Sequence, residues 1–234
     1  MAYFIDMHNH TSLGSFDSLI PPQALVERMV QAGLDGAVVT EHTVAWPDER
    51  VTRLRNESGL FVVAAREWET EFGHILVLGA NSIRQARSAY ELRQAVLAVG
   101  GLMILAHPFR FFPGANKLLF GDVPNAGGLT AEQIAEHPVF ALVDEIEVLN
   151  NWCLERENRL ALEVARVLGM RGVGGSDSHH VDEIGRCVTV FQRPLKTDDD
   201  LLQELRARRF HAARRRPDGQ YVPFDDIVLE GRSV

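Results

Sequence analysis

The stretch Tyr3-Phe-Ile-Asp-Met-His8-Asn-His10 is an apolar run that leads directly into two histidines. Alternate side chains of an extended strand share a face, so His8 and His10 can point at one ion while Asn9 points away. A solvated or core histidine pair would have the same spacing, and this stretch alone does not separate the two interpretations. Similar strand ends elsewhere in the chain favour a shared site.

Three further apolar runs end in groups that bind metals. His42 follows Val38-Val39-Thr40-Glu41, and His107 follows the run 102–106. Asp177 and His179 repeat the alternation behind Gly174-Gly175, where the backbone can approach a neighbour closely. Taken singly, His42 and His107 could each be an ordinary capping histidine. Together, the four strand ends predict a common metal site.

Apolar β-type runs alternate with amphipathic segments along most of the chain. We predict buried parallel strands at 3–7, 36–40, 60–64, 74–78, 102–106, 145–149 and 172–175, with 187–191 trailing. We predict helices at 23–32, 88–99, 155–168 and 197–209. This alternation predicts a parallel α/β architecture, in which chemistry collects at the carboxyl ends of the strands.

The length of 234 residues and the hydrophobic fraction of 46% suit one domain over residues 1–234. Proline and glycine interrupt the pattern at about 109–138, which predicts an irregular loop or insertion over the mouth of the site. A terminal helix and tail are predicted at about 197–234.

The net charge of −8 disfavours broad adhesion to duplex DNA or to an acidic membrane. The longest apolar stretch, at 95–106, is too short for a bilayer, which needs roughly 20 apolar residues. The two cysteines, Cys153 and Cys187, form no CxxC motif or disulfide framework, and no leader is evident. We therefore expect a cytoplasmic protein.

In combination, these motifs resemble the polymerase and histidinol phosphatase (PHP) family of metal-dependent phosphoesterases, in particular its small stand-alone members. The resemblance runs from Asp6 to about Phe191 and rests on DxHxHT at 6–11, TxH at 40–42, Glu67 with a following His74, His107-Pro108, and GSDSH at 175–179. It implies a distorted (β/α)7, TIM-like barrel with the metal site at the carboxyl ends of the strands.

The resemblance also implies a ligand set for two or three divalent ions, with Glu67 bridging the first two. One ion would be held by His8, His10, Glu67 and Asp177, a second by Glu67, His74 and His107, and a third by Asp17, His42 and His179. Nitrogen and oxygen ligands without cysteine suit zinc, manganese or iron alike. The chain has Asp17 where some members carry histidine, and Glu41 where aspartate is common.

The implied reaction is hydrolysis of a phosphate ester by a metal-bound hydroxide. His42, His179 and Asp17 would form the catalytic group. A histidine of this group, or a water on the third metal, would protonate the leaving oxygen. The expected partner is a small phosphorylated substrate: a phosphomonoester, or a phosphodiester of a nucleotide or short oligonucleotide. Oligomeric state is left open.

Arg110 and Arg186 are the candidate substrate-binding residues, because a guanidinium can grip phosphate with two hydrogen bonds. An ion pair across the rim is the equal alternative for Arg110. A denser arginine run at 206–216 predicts a solvated helix face and tail, with a grip on an oligonucleotide backbone as the alternative.

Two rival functions fit part of the pattern. An amidohydrolase-like C–N hydrolase shares the histidine motifs, but many such sites use a carboxylated lysine, and Lys117 and Lys196 follow no predicted strand. A catalytically inactive metal-binding scaffold is the other rival, although every expected ligand position carries a residue able to bind metal. Glu67 could also pair simply with Arg66 or Arg110.

Overall fold

A computed structural model describes residues 2–113, 119 and 126–225 of the chain. Its strands are β1 Tyr3–Asn9, β2 Gly36–Glu41, β3 Phe61–Thr70, β4 Gly73–Leu78, β5 Leu102–Leu105, β6 Glu145–Asn150, β7 Val173–Gly175, β8 Cys187–Phe191, β9 Phe210–Arg215 and β10 Tyr221–Pro223. The α-helices in the described residues are α1 Pro22–Ala32, α2 Asp48–Ser58, α3 Ala89–Ala98, α4 Ala131–Ala135, α5 Glu155–Val167 and α6 Asp198–Arg206.

The strands form one mixed sheet in the order β10-β9-β8-β1-β2-β3-β4-β5-β6-β7. An isolated bridge between Asn9 and Ser178 links the end of β1 to the residues that follow β7, so the sheet curls back on itself. The predicted α/β class is thereby confirmed as a curled half-barrel. Four pairs are parallel: β1 with β2, β2 with β3, β5 with β6, and β6 with β7.

The expectation that all strands run parallel was wrong for β4 and β8. β4 is antiparallel to both β3 and β5, because only a tight turn separates Thr70 from Gly73 and a parallel return needs a crossover of a dozen or more residues. β8 is antiparallel to β1, and β9 and β10 extend that side of the sheet. The sheet is therefore not a simple succession of β/α repeats.

The predicted helices occur where local signals mark their ends. The Ser88 side chain accepts a hydrogen bond from the Glu91 amide at the start of α3, and Thr197 does the same for Asp200 at the start of α6. Gly33, with φ of 70°, ends α1. The sequence analysis did not predict α2, because Val51 is the one buried residue of this helix and the sequence shows no apolar stripe there.

The segment predicted as an irregular loop at 109–138 lies partly outside the described residues, at 114–118 and 120–125. Its described carboxyl-terminal part is ordered into a 3-10 turn, Ala126–Gly128, and then α4, which Thr130 caps. The described part of the segment after α6 forms two strands that the sequence analysis did not predict, β9 and β10.

Apolar side chains fill the inside of the curled sheet. Ile5 and Met7 of β1 meet Leu76 of β4 and Ile104 of β5 there, and each is at most 1% exposed. The rigid interior holds the strand ends at fixed separations. Of the helices described, none has the length and apolarity needed to cross a membrane.

Candidate metal centre

Polar side chains from six strands, or from the residues that closely follow them, lie at one end of the sheet. His8 and His10 come from the end of β1, His42 directly follows β2, and Glu67 and His74 lie within the β3–β4 hairpin. His107 follows β5, and Asp177 and His179 follow β7. Glu67 thus belongs to β3 itself, which runs six residues beyond the predicted strand.

The buried carboxylate of Glu67 is the centre of the cluster. Its Oε1 atom lies 2.9 Å from His74 Nδ1, 3.2 Å from His107 Nε2 and 3.5 Å from His8 Nε2. Its Oε2 atom lies 3.2 Å from both His10 Nε2 and His42 Nδ1. One carboxylate therefore faces five imidazoles, and no ion pair joins it to Arg66 or Arg110 within the described part of the chain.

The Asp177 carboxylate lies beside the pair formed by His8 and His10. Its Oδ1 atom lies 3.4 Å from both His8 Nε2 and His10 Nε2, which are themselves 3.0 Å apart. Asp177 has a φ of 51°, a left-handed conformation that an aspartate tolerates better than most residues. Held this way, the carboxylate faces the cluster.

Asp17 lies where the third ion was predicted. Its Oδ2 atom is 3.3 Å from His42 Nε2 and 3.3 Å from His179 Nε2, and the aspartate side chain is 40% exposed. His10 stacks near both imidazoles, with ring centroids 4.4 Å from His42 and 4.5 Å from His179. Asp17 thus lies at the solvent-exposed edge of the cluster, whereas His8, His10, Glu67 and Asp177 are buried.

The side chains of the cluster lie close enough together to bind metal ions. Three overlapping groups each place their ligand atoms within 4.8 Å of one another: His10, His42 and His179; His8, Glu67 and His107; and His8, His10 and Asp177. The donors are imidazole nitrogens and carboxylate oxygens, the set that suits zinc, manganese and iron. All nine residues predicted as ligands lie together, and their role as ligands is taken up below.

Glu147 and Asn150, at the end of β6, make hydrogen bonds to the buried residues that are predicted as ligands. Glu147 Oε1 lies 3.1 Å from His8 Nδ1, which leaves His8 Nε2 for the cluster. Glu147 Oε2 accepts hydrogen bonds from the His107 amide and from Asn150 Nδ2. Such partners fix the tautomer and the ring plane of a ligand histidine.

The sequence analysis missed the part played by Glu41 and Ser15. The Ser15 hydroxyl donates to Glu41 Oε2 at 2.5 Å and lies 3.0 Å from His10 Nδ1. Glu41 also accepts from the Thr11 amide and from Trp46 Nε1. Glu41 is therefore fully buried as the anchor of loop 11–15 and positions His10 through Ser15.

The Asp6 carboxylate accepts hydrogen bonds from backbone amides and has no imidazole partner among the described residues. It accepts hydrogen bonds from the amides of Ser176 and Gly185, each at 2.8 Å, which ties β1 to both ends of the segment between β7 and β8. Burial raises the pKa of this carboxyl to about 6, against the lowering effect of these hydrogen bonds.

Buried charge shifts the titration of the inner ligands. Burial lowers the pKa of His10, but Asp177 and Glu67 outweigh that effect and raise the pKa to about 9. His8 has its pKa raised in the same way, against burial, by Asp177, Glu147 and Glu67. Burial raises the pKa of Glu67, but His8, His10, His107 and His74 hold it well below its usual range.

The two candidate substrate-binding arginines lie in different places. Arg110 Nη1 donates to Asp177 Oδ2 at 3.1 Å, and its guanidinium lies near the rings of Phe111 and Trp152. Arg186 instead pairs with Asp182 and has no hydrogen bond or ion pair to the cluster among the described residues. The structure therefore does not bring Arg186 to the predicted centre.

Comparisons with known proteins place this geometry in context. The family model described as PHP-associated matches residues 155–210. No curated protein matches the chain significantly. Three solved structures share the fold: a two-domain protein from Bacteroides vulgatus that contains a predicted PHP-like metal-dependent phosphoesterase, a putative metal-dependent phosphoesterase from Bifidobacterium adolescentis, and an amidohydrolase from Chromobacterium violaceum with bound sulfate and no metal.

The similarity to these structures is in fold more than in sequence. The Bacteroides match has a TM-score of 0.64 at 20% identity and covers 91% of this chain and 64% of that one. The Bifidobacterium match has a TM-score of 0.60 at 18% identity, over 87% and 96%. The Chromobacterium match has a TM-score of 0.59 at 13% identity, over 92% and 99%.

This chain therefore spans less than two thirds of the Bacteroides protein, and nearly all of the other two. The family model and the PHP-like folds agree with the motifs quoted above. Together they confirm the resemblance of this chain to the PHP family of metal-dependent phosphoesterases.

Proposed function

We propose that the chain hydrolyses a phosphate ester with the help of two or three divalent ions. The observation that carries the proposal is the position of Glu67, a buried carboxylate with five imidazole nitrogens within 3.5 Å of its two oxygens. A carboxylate so surrounded is suited to bridge two cations. Zinc, manganese and iron all fit this donor set.

The nine residues fall into two groups, one for the first two ions and one for a third. We propose that His8, His10, Glu67, His74, His107 and Asp177 hold two ions, and that Asp17, His42 and His179 hold a third. Bound there, divalent ions would activate water and neutralise the charge that develops on a phosphoryl group. If this third position holds no ion, the exposed Asp17, which lies between His42 and His179, can exchange protons with either imidazole as the leaving oxygen departs.

Arg110 is the proposed phosphate-binding residue. Its Nη1 already donates to Asp177, and its Nε is buried without a hydrogen-bond partner in the described residues. A phosphate held between the ions and Arg110 would supply acceptors for a guanidinium that Phe111 and Trp152 hold in place. The substrate we propose is a small phosphomonoester or a nucleotide or oligonucleotide phosphodiester.

The function is tested by assaying the purified chain, loaded with zinc or manganese, on p-nitrophenyl phosphate and bis(p-nitrophenyl) phosphate. We expect hydrolysis of at least one, and loss of it in Asp177→Ala. The matched control is His180→Ala, because His180 is an exposed neighbour of His179 outside the metal-binding groups. Activity that survives Asp177→Ala would refute the proposal.

C–N hydrolysis is less well supported by the site. The central position between the predicted ions is occupied by Glu67, and Lys196 lies in the turn before α6, where its amide bonds to Asp200. Lys117 lies outside the described residues. Hydrolysis of an amide panel without any phosphatase activity would favour this rival, and metal binding without either activity would favour an inactive scaffold.

A further inference from the structure

A cleft beside the metal centre is lined by arginines, although the chain as a whole has a net charge of −8. Its volume is about 580 Å³, within the roughly 300–1,000 Å³ typical of small-molecule sites. The carboxylates among the described lining residues are Glu155 and Asp182. The arginines outnumber them: Arg28, Arg186, Arg214, Arg215 and Arg216. We call this the arginine cleft.

Most of this positive charge is not neutralised by the protein. Arg214 donates to Glu155 and Arg186 donates to Asp182. Arg28, Arg215 and Arg216 have no ion pair in the described part of the chain. The Nε atoms of Arg28 and Arg215 are also buried there without a hydrogen-bond acceptor. An anion in the cleft would supply acceptors to the guanidinium groups of these arginines, which the protein itself does not supply with a carboxylate.

The cleft opens at the same end of the sheet as the metal centre. β8 begins at Cys187 and is antiparallel to β1, and Cys187 pairs in turn with Arg214 of β9. The Arg215 amide donates to the carbonyl of Arg186. These arginines therefore lie at the carboxyl end of β1, the end that carries His8 and His10.

Asn150 connects the two sites. It contributes to the lining of the cleft, and its Nδ2 atom donates to Glu147 Oε2 at 3.0 Å and to Asp177 Oδ2 at 3.3 Å. Asp177 is itself a predicted ligand, and Glu147 contacts the predicted ligand His8. A charged group in the cleft is thus one side chain removed from the reacting centre.

We propose that the arginine cleft is a second anion site that binds a ligand carrying several phosphate groups. Guanidinium groups bind phosphate oxygens with paired hydrogen bonds, and several unpaired guanidiniums together favour more than one phosphate. The same chemistry could come from the distal phosphates of the substrate or from a separate phosphorylated effector. Anion binding in the arginine cleft does not depend on the proposed hydrolysis. The interpretation that the distal phosphates of the substrate bind there does depend on it.

The test uses inorganic tripolyphosphate and isothermal titration calorimetry on the full-length chain in the absence of metal. We expect binding by the wild type and by His8→Ala, and at least a tenfold weaker affinity in the double variant Arg28→Gln/Arg215→Gln. Arg53→Gln/Arg87→Gln is the matched control, because it removes the same two charges from exposed positions outside the lining of the cleft.

A second variant, Arg216→Gln, distinguishes weaker tripolyphosphate binding from misfolding. Because Arg216 is exposed, its replacement should weaken binding without changing the thermal unfolding midpoint. Equal affinity in the wild type and both arginine variants would overturn the proposal. So would a loss of binding in His8→Ala alone, which would place the anion at the metal centre.

Kinetics on the metal-loaded enzyme then separate the two sources. If the distal phosphates of the substrate bind the cleft, the arginine variants raise KM for a substrate with a second phosphate and leave p-nitrophenyl phosphate unaffected. If a separate effector binds it, tripolyphosphate changes the rate on p-nitrophenyl phosphate in the wild type and not in the variants. A chain that binds tripolyphosphate but hydrolyses nothing would refute the proposed function and keep the cleft.

Discussion

At the scale of single residues, the site depends on carboxylates that collect imidazoles around them. Glu67 alone reaches five histidines from four segments of the chain. So many titratable groups in a buried space are unfavourable unless charge balances charge, because burial penalises each ionised group. A divalent ion supplies the positive charge without requiring the histidines to be protonated.

The substitution Glu67→Gln keeps the size of the side chain and removes its charge. We expect it to lower the metal content and to reduce activity by more than about 100-fold, since even indirect partners of metal ligands are worth 10–100-fold. Atomic absorption on the dialysed protein and a phosphatase assay measure the two effects. Glu69→Gln, on the same strand but exposed, is the control and should behave like the wild type.

Metal uptake should release protons. In the metal-free protein the His10 pKa is raised from 6.5 to about 9, so this imidazole is protonated at neutral pH and must lose its proton to bind an ion. Affinity should therefore rise between pH 6.5 and 9. Titration calorimetry at pH 7 in two buffers of different ionisation enthalpy measures the release, and identical heats in both buffers would contradict the assignment.

The same shift has an opposite effect on the metal-free fold. Because the pKa of His10 is higher in the folded state, its contribution to stability is complete below pH 6.5 and is lost as pH rises through about 9. Metal-free protein should accordingly lose this contribution over the window in which metal binding strengthens. Thermal unfolding with and without chelator across that window compares the two trends.

At the scale of elements, close approach of β7 to β1 brings Asp177 to the histidines. Gly175 makes that approach possible: a Cβ atom there would lie 2.5 Å from His8 Cβ and 2.9 Å from the His8 backbone nitrogen. Neither neighbour is the flexible end of a side chain. The glycines before Asp177 thus have a packing role that adds to the motif.

We expect Gly175→Ala to destabilise the fold by about 1–3 kcal/mol, the usual cost of overpacking, and to impair metal binding by displacing His8. Gly128→Ala is the matched control, because no atom of the described residues lies within 4 Å of the position its Cβ would take. Denaturant unfolding of the two variants measures the difference. A Gly175→Ala protein as stable as the control, with full metal content, would show that the packing is looser than described.

The sequence predicted most elements and the gathering of the ligands, because both follow from short-range patterns. It failed where distant partners decide. β9, with the sequence Phe-His-Ala-Ala-Arg-Arg, is too charged to resemble a strand and is stabilised by pairing with β8. Glu41 and Ser15 are 26 residues apart, and no local signal links them. The position of Arg186 in the arginine cleft also depends on the tertiary fold.

At the scale of the whole molecule, bound metal should stabilise the curled sheet against unfolding. The predicted ligands span residues 8–179 and join strands that are separated by helices, so ions bound there stabilise the folded state alone. At a metal concentration about 1,000 times Kd the gain is about 4 kcal/mol. For a chain of this length that corresponds to a rise of about 10 °C in Tm. Calorimetry with manganese and with chelator measures it, and His8→Ala should show no comparable rise.

The most direct test of the central claim is anomalous diffraction from crystals grown with manganese or zinc, with data collected on both sides of the metal absorption edge. We expect two or three anomalous peaks at the end of the sheet, with Glu67 between the first two and Asp17, His42 and His179 around any third. Peaks elsewhere, or an empty cluster in metal-saturated crystals, would contradict it.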